Sequence, residues 1–132
     1  MSLPLCYIGG FMTITKAIGV VDNLRPNQIS TEQKTEWILT IEKRVKNEIY
    51  LTHEHDGVDF TDFNSATIAT DELFVPEPYS EIYILFLCGM VDFNHAEYDR
   101  YNNDVDLFNK TYDDYARWYN RNNEPLTAAL KY

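Results

Sequence analysis

Apolar residues along the chain fall into four stretches of helical spacing, separated by polar or proline-bearing breaks. From Thr13 to Asn23, Ile14, Ala17, Ile18 and Val21 recur three and four apart, which places them on one helical face. Gly19 weakens that segment by about 1 kcal/mol relative to alanine, so a short helix leaning on a core is expected. Leu24-Arg25-Pro26-Asn27 interrupts the pattern, and Ser30 followed three residues later by Gln33 reads as a capping box that opens a second helix. This helix is expected from about Thr31 to about Thr52, with Trp37, Ile38, Ile41, Val45 and Ile49 as its buried stripe. Glu42 and Lys46 are expected as an exposed ion pair one turn apart.

Periodicity vanishes between His53 and Val75, a long connection for a compact domain that is expected to bind something or stay mobile. Pro76 and Pro78 bracket the next start, since proline is tolerated in a first helical turn, and Glu77 and Glu81 suit the positive end of a helix dipole. A third helix is expected from about Pro78 to about Tyr101, a turn at Asn102-Asn103, and a fourth helix capped by Asp104 and reaching about Asn120. So short a turn predicts an antiparallel hairpin. The expected fold is all-α: four helices around one core, a hairpin of helices three and four, and a long loop between helices two and three. Residues 12–123 would form the single domain. Met1 to Phe11 is expected to be an upstream extension outside the fold, because Met12 opens the first clean helical pattern, and residues 124–132 to be a flexible tail.

Phe108, Tyr112, Tyr115 and Tyr119 share one face of the fourth helix, with Trp118 beside them. With Trp37, Ile38, Ile41 and Val45 they make the expected core, although part of that aromatic face could instead dock a neighbouring subunit. The third helix reads differently. From Ile82 to Cys88 its apolar residues point in every direction, and in a small bundle one helix is not easily surrounded by its own chain. Ile82, Tyr83, Phe86, Leu87 and Met90 are therefore the expected subunit-interface residues, joined by Phe60, Phe63 and Phe74 from the long connection; burial by the chain's own helices is the alternative.

Composition narrows the function classes. The chain has 132 residues, 45% of them hydrophobic and 14% aromatic, which suits one folded domain rather than a disordered chain. The aromatic share is mostly tyrosine, a residue that favours surfaces half dry and half wet. A formal charge of -10 disfavours capture of nucleic acid or anionic lipid, though it would suit a wall past which DNA slides. Cys6 and Cys88 do not make a disulfide framework, and the longest apolar run, Ile82 to Val91, is about half of a bilayer crossing, so a soluble, unexported protein is expected.

Candidate chemistry is sparse. His53-Glu54-His55-Asp56 has metal-ligand residue types but lies in one loop without helical spacing or a distant third ligand. Asp92 and His95 have the spacing used by di-iron bundles, yet no second such pair accompanies them. Nucleophile and phosphate-loop signatures are missing, so neither catalysis nor a cofactor is expected.

Val75-Pro76-Glu77-Pro78-Tyr79, Glu97-Tyr98-Asp99-Arg100-Tyr101-Asn102-Asn103, the Phe108-Asn109 and Tyr112 spacing and Trp118-Tyr119-Asn120-Arg121, together with Asp22-Asn23-Leu24-Arg25-Pro26-Asn27 and the Trp37 helix, resemble the small head-tail connector (head-completion or adaptor) proteins of long-tailed phages and Gram-positive prophages. The likeness covers roughly Thr13 to Asn123. It implies a structural virion subunit made in the bacterial cytoplasm, forming a ring of about twelve copies beneath the portal. Such a ring would extend the DNA channel without binding DNA specifically and meet a downstream head-tail or tail-completion protein. It also implies portal contacts toward the C-terminus, where Trp118, Asn120, Arg121, Leu126 and Leu130 are the candidates. The alternative is a small cytosolic helical regulatory or ligand-binding module whose aromatic face, Phe86 with Tyr112 and Tyr115, closes over a small molecule or peptide.

Overall fold

The computed structural model describes residues 10–52 and 72–122. Their order is β1 (Phe11–Thr13), α1 (Ile14–Leu24), α2 (Thr31–Glu48), a 3-10 turn at Tyr50–Thr52, β2 (Glu72–Pro76), α3 (Glu81–Asn94) and α4 (Tyr98–Asn122). The domain is thus mostly helical, with the expected four helices and a tight α3–α4 hairpin.

The helix starts follow local chemistry. Thr13 opens α1 by accepting from the Lys16 N–H at 3.2 Å, and Ser30 opens α2 by accepting from the Gln33 N–H at 3.1 Å. The Leu24-to-Asn27 break is stitched by side chains. Lys34 donates to Asp22 at 2.7 Å and to Asn27 at 3.2 Å, while Asn27 accepts from the Ile29 N–H at 3.0 Å.

A two-stranded antiparallel sheet joins β1 to β2, with Phe11 opposite Pro76, Thr13 opposite Glu72 and an irregularity between them. The Glu77 N–H extends the pairing to the Gly10 carbonyl at 3.1 Å, and the Glu77–Pro78 peptide is cis. Phe11, expected outside the fold, therefore belongs to a strand. Short strands of this kind escape periodicity because three residues show too little alternation to read.

The hairpin turn is also displaced from its expected place. The chain reverses at His95–Glu97, and Asn102-Asn103 lies inside α4. The Glu97 N–H donates to the Asp92 carbonyl at 2.8 Å and the Ala96 N–H to the Phe93 carbonyl at 3.1 Å, with Ala96 at φ 59°. This is the Schellman closure of a helix C-terminus, normally built with glycine in the left-handed position. With alanine there the usual signal is absent. Asp104 consequently caps nothing; it is a buried residue six positions into α4.

The core gathers Ile14, Ala17, Ile18 and Val21 of α1, Ile38, Ile41 and Val45 of α2, Leu73 and Val75 of β2, Ile82, Tyr83, Leu87 and Val91 of α3, and Phe108, Tyr112 and Tyr115 of α4. Trp37 and Tyr119 are half-buried against it. Helix α3 touches α1, α2 and α4, which explains its apolar residues on all sides. Ile82, Tyr83 and Leu87 are fully buried by the chain's own elements, so as subunit-interface residues they are corrected to core. Among the described residues no helix is long and apolar enough to cross a membrane.

Candidate functional site

Two buried polar clusters and one open cleft stand out from the apolar core. Glu42 lies one turn beyond Ile38 and one turn before Lys46, so the same spacing that builds the α2 stripe turns it inward. It is 2% exposed, which corrects the expected surface pair with Lys46. Its carboxylate accepts from the Phe74 N–H at 2.7 Å and from the Tyr83 hydroxyl, which in turn accepts from the Val75 N–H at 3.0 Å. The Tyr50 hydroxyl donates to the Phe74 carbonyl at 3.2 Å and lies 2.7 Å from the Tyr115 hydroxyl. Side chains from α2, α3 and the 3-10 turn thus take up β2 backbone groups, and Tyr115 of α4 braces Tyr50. Burial, opposed by the two hydrogen bonds it accepts, pushes the Glu42 carboxyl up to about 7. Burial likewise raises the Tyr83 and Tyr50 hydroxyls. Sealed from solvent, this cluster anchors a strand and offers no reacting atom to a substrate.

The second cluster lies where the end of α1 meets the hairpin. Arg25 Nε donates to both oxygens of Asp92, at 3.0 and 3.1 Å, and its Nη2 is 3.8 Å from Asp104 Oδ1. Asp104 is 6% exposed, and its Oδ2 has no hydrogen-bond partner among the described residues. Burial, then a hydrogen bond shared with the Asp92 carboxyl and the charge of that neighbour, raises the Asp104 carboxyl, against the pull of Arg25 and Arg100. Burial also pushes the nearby Cys88 thiol up to about 11, which makes it a poor nucleophile at neutral pH.

Asp104 borders a cleft of about 200 Å³ between α3 and α4, closed at one side by Arg44 of α2. Leu85, Phe86, Met90, Val105 and Phe108 supply its apolar walls, and Tyr101 and Asn109 complete the rim. Gly89 is part of the lining, where an added Cβ would meet Asp104 Cβ at 3.5 Å and Tyr101 Cδ1 at 3.8 Å. Arg44 lies 4.3 Å above the Tyr112 ring centre and pairs with Glu48 at 3.0 Å. Toward the hairpin turn the surface continues through Phe93 and Tyr98, 51% and 55% exposed, whose rings are 5.7 Å apart. Helical spacing puts Phe93 on the Phe86–Gly89–Met90 face of α3, so cleft and ring pair form one apolar strip.

Of the expected interface residues, only Phe86 and Met90 lie on this strip. Phe74 is half-buried with its ring 5.6 Å from that of Tyr50, and Phe60 and Phe63 lie outside the described residues. Tyr112 and Tyr115 are packed inside rather than facing the cleft beside Phe86. Trp118 is half-buried, stacked on Tyr115 at 5.8 Å; Asn120 and Arg121 are exposed near the end of α4, and Leu126 and Leu130 lie outside the described residues. So does the His53-to-Asp56 cluster, while Asp92 is engaged by Arg25 and His95 is exposed at the hairpin turn. Among the described residues no group of His, Cys, Asp and Glu is arranged to hold a metal ion. The Asp92–Asp104 pairing and the buried Glu42 escaped sequence reading, although Glu42 falls on the periodic stripe of α2. Comparison of the chain with protein-family models, curated proteins and solved structures finds no match in any of the three.

Proposed function

We propose that this chain is a structural subunit of a tailed-phage head-tail connector that acts by assembling with copies of itself and with a portal protein, not by catalysis. The carrying observation is the apolar strip on the outside of the hairpin, where Phe93 and Tyr98 are exposed and Leu85, Phe86 and Met90 are only partly covered by the chain's own helices. A ring needs two different patches on each subunit, and a rigid hairpin displaying an apolar strip supplies one of them. The excess of acidic residues, 21 against 11 basic, suits a channel wall to which DNA does not adhere. A small-ligand module is the weaker reading, because the cleft of about 200 Å³ is below the range of roughly 300–1,000 Å³ usual for such sites.

The test is solution mass by light scattering over a concentration series, with and without a cognate portal protein, followed by electron microscopy of any large species. Closed rings, alone or on the portal, are expected. A chain that remains monomeric and ignores the portal at every concentration would end this reading.

A further inference from the structure

The cleft has an incomplete polar group beside its apolar walls. Asp92, Asp104 and Arg25 carry one more negative than positive charge when both acids are ionised, and Arg25 hydrogen-bonds Asp92 while standing 3.8 Å from Asp104. The remaining cations nearby offset that excess only in part, Arg100 through its charge at a distance. Arg44, across the cleft, pairs with Glu48 over the Tyr112 ring, and Arg100 is exposed on α4. Asp92 and Asp104 share a proton at lower pH. When both are ionised, the buried Asp104 oxygen is left without a donor, at a cost comparable to a lost hydrogen bond that a donor entering the cleft would recover. The terminal torsion of an aspartate is soft, so a small rotation can turn that oxygen toward an incoming group.

We propose that the cleft between α3 and α4 is a socket for one basic side chain of a protein partner, its aliphatic stem against Phe86, Met90 and Val105 and its cationic tip on Asp104. Lysine and arginine have this build, an apolar stem with a charged end. A protein is favoured over a free amine as the source because the cleft is small and runs into exposed Phe93 and Tyr98, which only a larger partner surface would cover. The inference rests on the assembly reading only in taking the side chain to arrive on a protein.

The same geometry predicts a pH signature. Asp104 faces Asp92 and Cys88 from α3, Arg25 from the end of α1 and Arg100 from its own helix, with Arg44 of α2 across the cleft. A carboxyl held up by burial and by Asp92 must give up its proton when a cation docks, so affinity rises with pH.

The experiment is an NMR titration of the full chain with n-butylammonium, following the Gly89 amide and the Met90 methyl, with n-pentanol as the uncharged control. Saturable millimolar binding is expected, at least several-fold tighter than for pentanol and tightening between pH 6 and pH 8. Asp104→Asn should lose the preference for the cation while retaining pentanol binding. If that variant does not fold, Gly89→Ala, whose methyl makes only ordinary contacts, should weaken both probes by occupying part of the lining. Absence of shifts at Gly89 and Met90, equal affinity for pentanol, or undiminished cation binding in the folded variants would overturn the proposal. Submicromolar binding of the free amine would overturn the protein source. Solution mass reports the assembly reading separately, since a chain that forms rings yet shows no cation preference refutes the socket alone.

Discussion

Replacing Glu42 by glutamine should change how stability responds to pH more than it changes the fold. In the native protein the carboxyl is 2% exposed and its pKa lies at about 7, against 4.5 for the ordinary group. A carboxyl raised on folding binds its proton more tightly in the native state. Its stabilising contribution is complete below pH 4.5 and disappears as pH climbs through 7. At 1.36 kcal/mol per unit, the loss between pH 5 and pH 8 is about 2 to 3 kcal/mol, a large share of the stability of a small domain. Asp104 and the net charge contribute slopes of the same sign, but both persist in Glu42→Gln. The assay is therefore urea unfolding followed by circular dichroism at pH 5, 6, 7 and 8 for both proteins. The wild-type chain should lose about 2 to 3 kcal/mol more than the variant across that range. A difference that stays flat, or grows in favour of the wild type at high pH, would mean that the Phe74 and Tyr83 hydrogen bonds hold Glu42 as the anion, and the reasoning would fail.

Further predictions concern the turn, the core and the second cluster. Ala96→Gly should stabilise the chain by about 1 kcal/mol, because glycine adopts the left-handed conformation at the end of α3 without a Cβ clash; an unchanged or lower Tm would count against the Schellman turn. Leu87→Ala should cost about 2 to 5 kcal/mol in the isolated subunit, as deletion from a filled core does, whereas a residue reserved for a subunit interface would leave monomer unfolding nearly unchanged. Arg25→Leu should destabilise by about 3 kcal/mol near neutral pH by leaving Asp92 and Asp104 without their cation, and by less at pH 5, where the raised Asp104 carboxyl is already protonated; a penalty independent of pH would refute the coupling. Phe93→Ser should leave the unfolding midpoint within the range usual for surface changes while lowering the mass of any assembly seen by light scattering, and unaltered assembly would remove Phe93 from the contact surface.

Four helices, the Ser30 cap and the inward faces of α1 and α2 were legible because each is a local matter. Spacing of three and four, a side-chain acceptor before the first turn and proline between segments act within a few residues. The placement of the aromatic face of α4 follows for the same reason, with Phe108, Tyr112 and Tyr115 buried along one stripe. Neither the short sheet nor the true hairpin turn had such a signal: β1 is three residues long, and Ala96 stands where a glycine would have marked the reversal. The all-round apolar surface of α3 admitted two explanations, other subunits or the chain itself, and no local rule chooses between them. Only the tertiary arrangement decided for Ile82, Tyr83 and Leu87, by setting α1, α2 and α4 around that helix. It also turned Glu42 from a surface partner of Lys46 into the anchor of β2, and brought Arg25 to residues 67 and 79 positions further along the chain. Periodicity reports which face of a helix turns inward; what that face meets depends on segments far apart in sequence, where burial and charge are balanced only once the whole chain has folded.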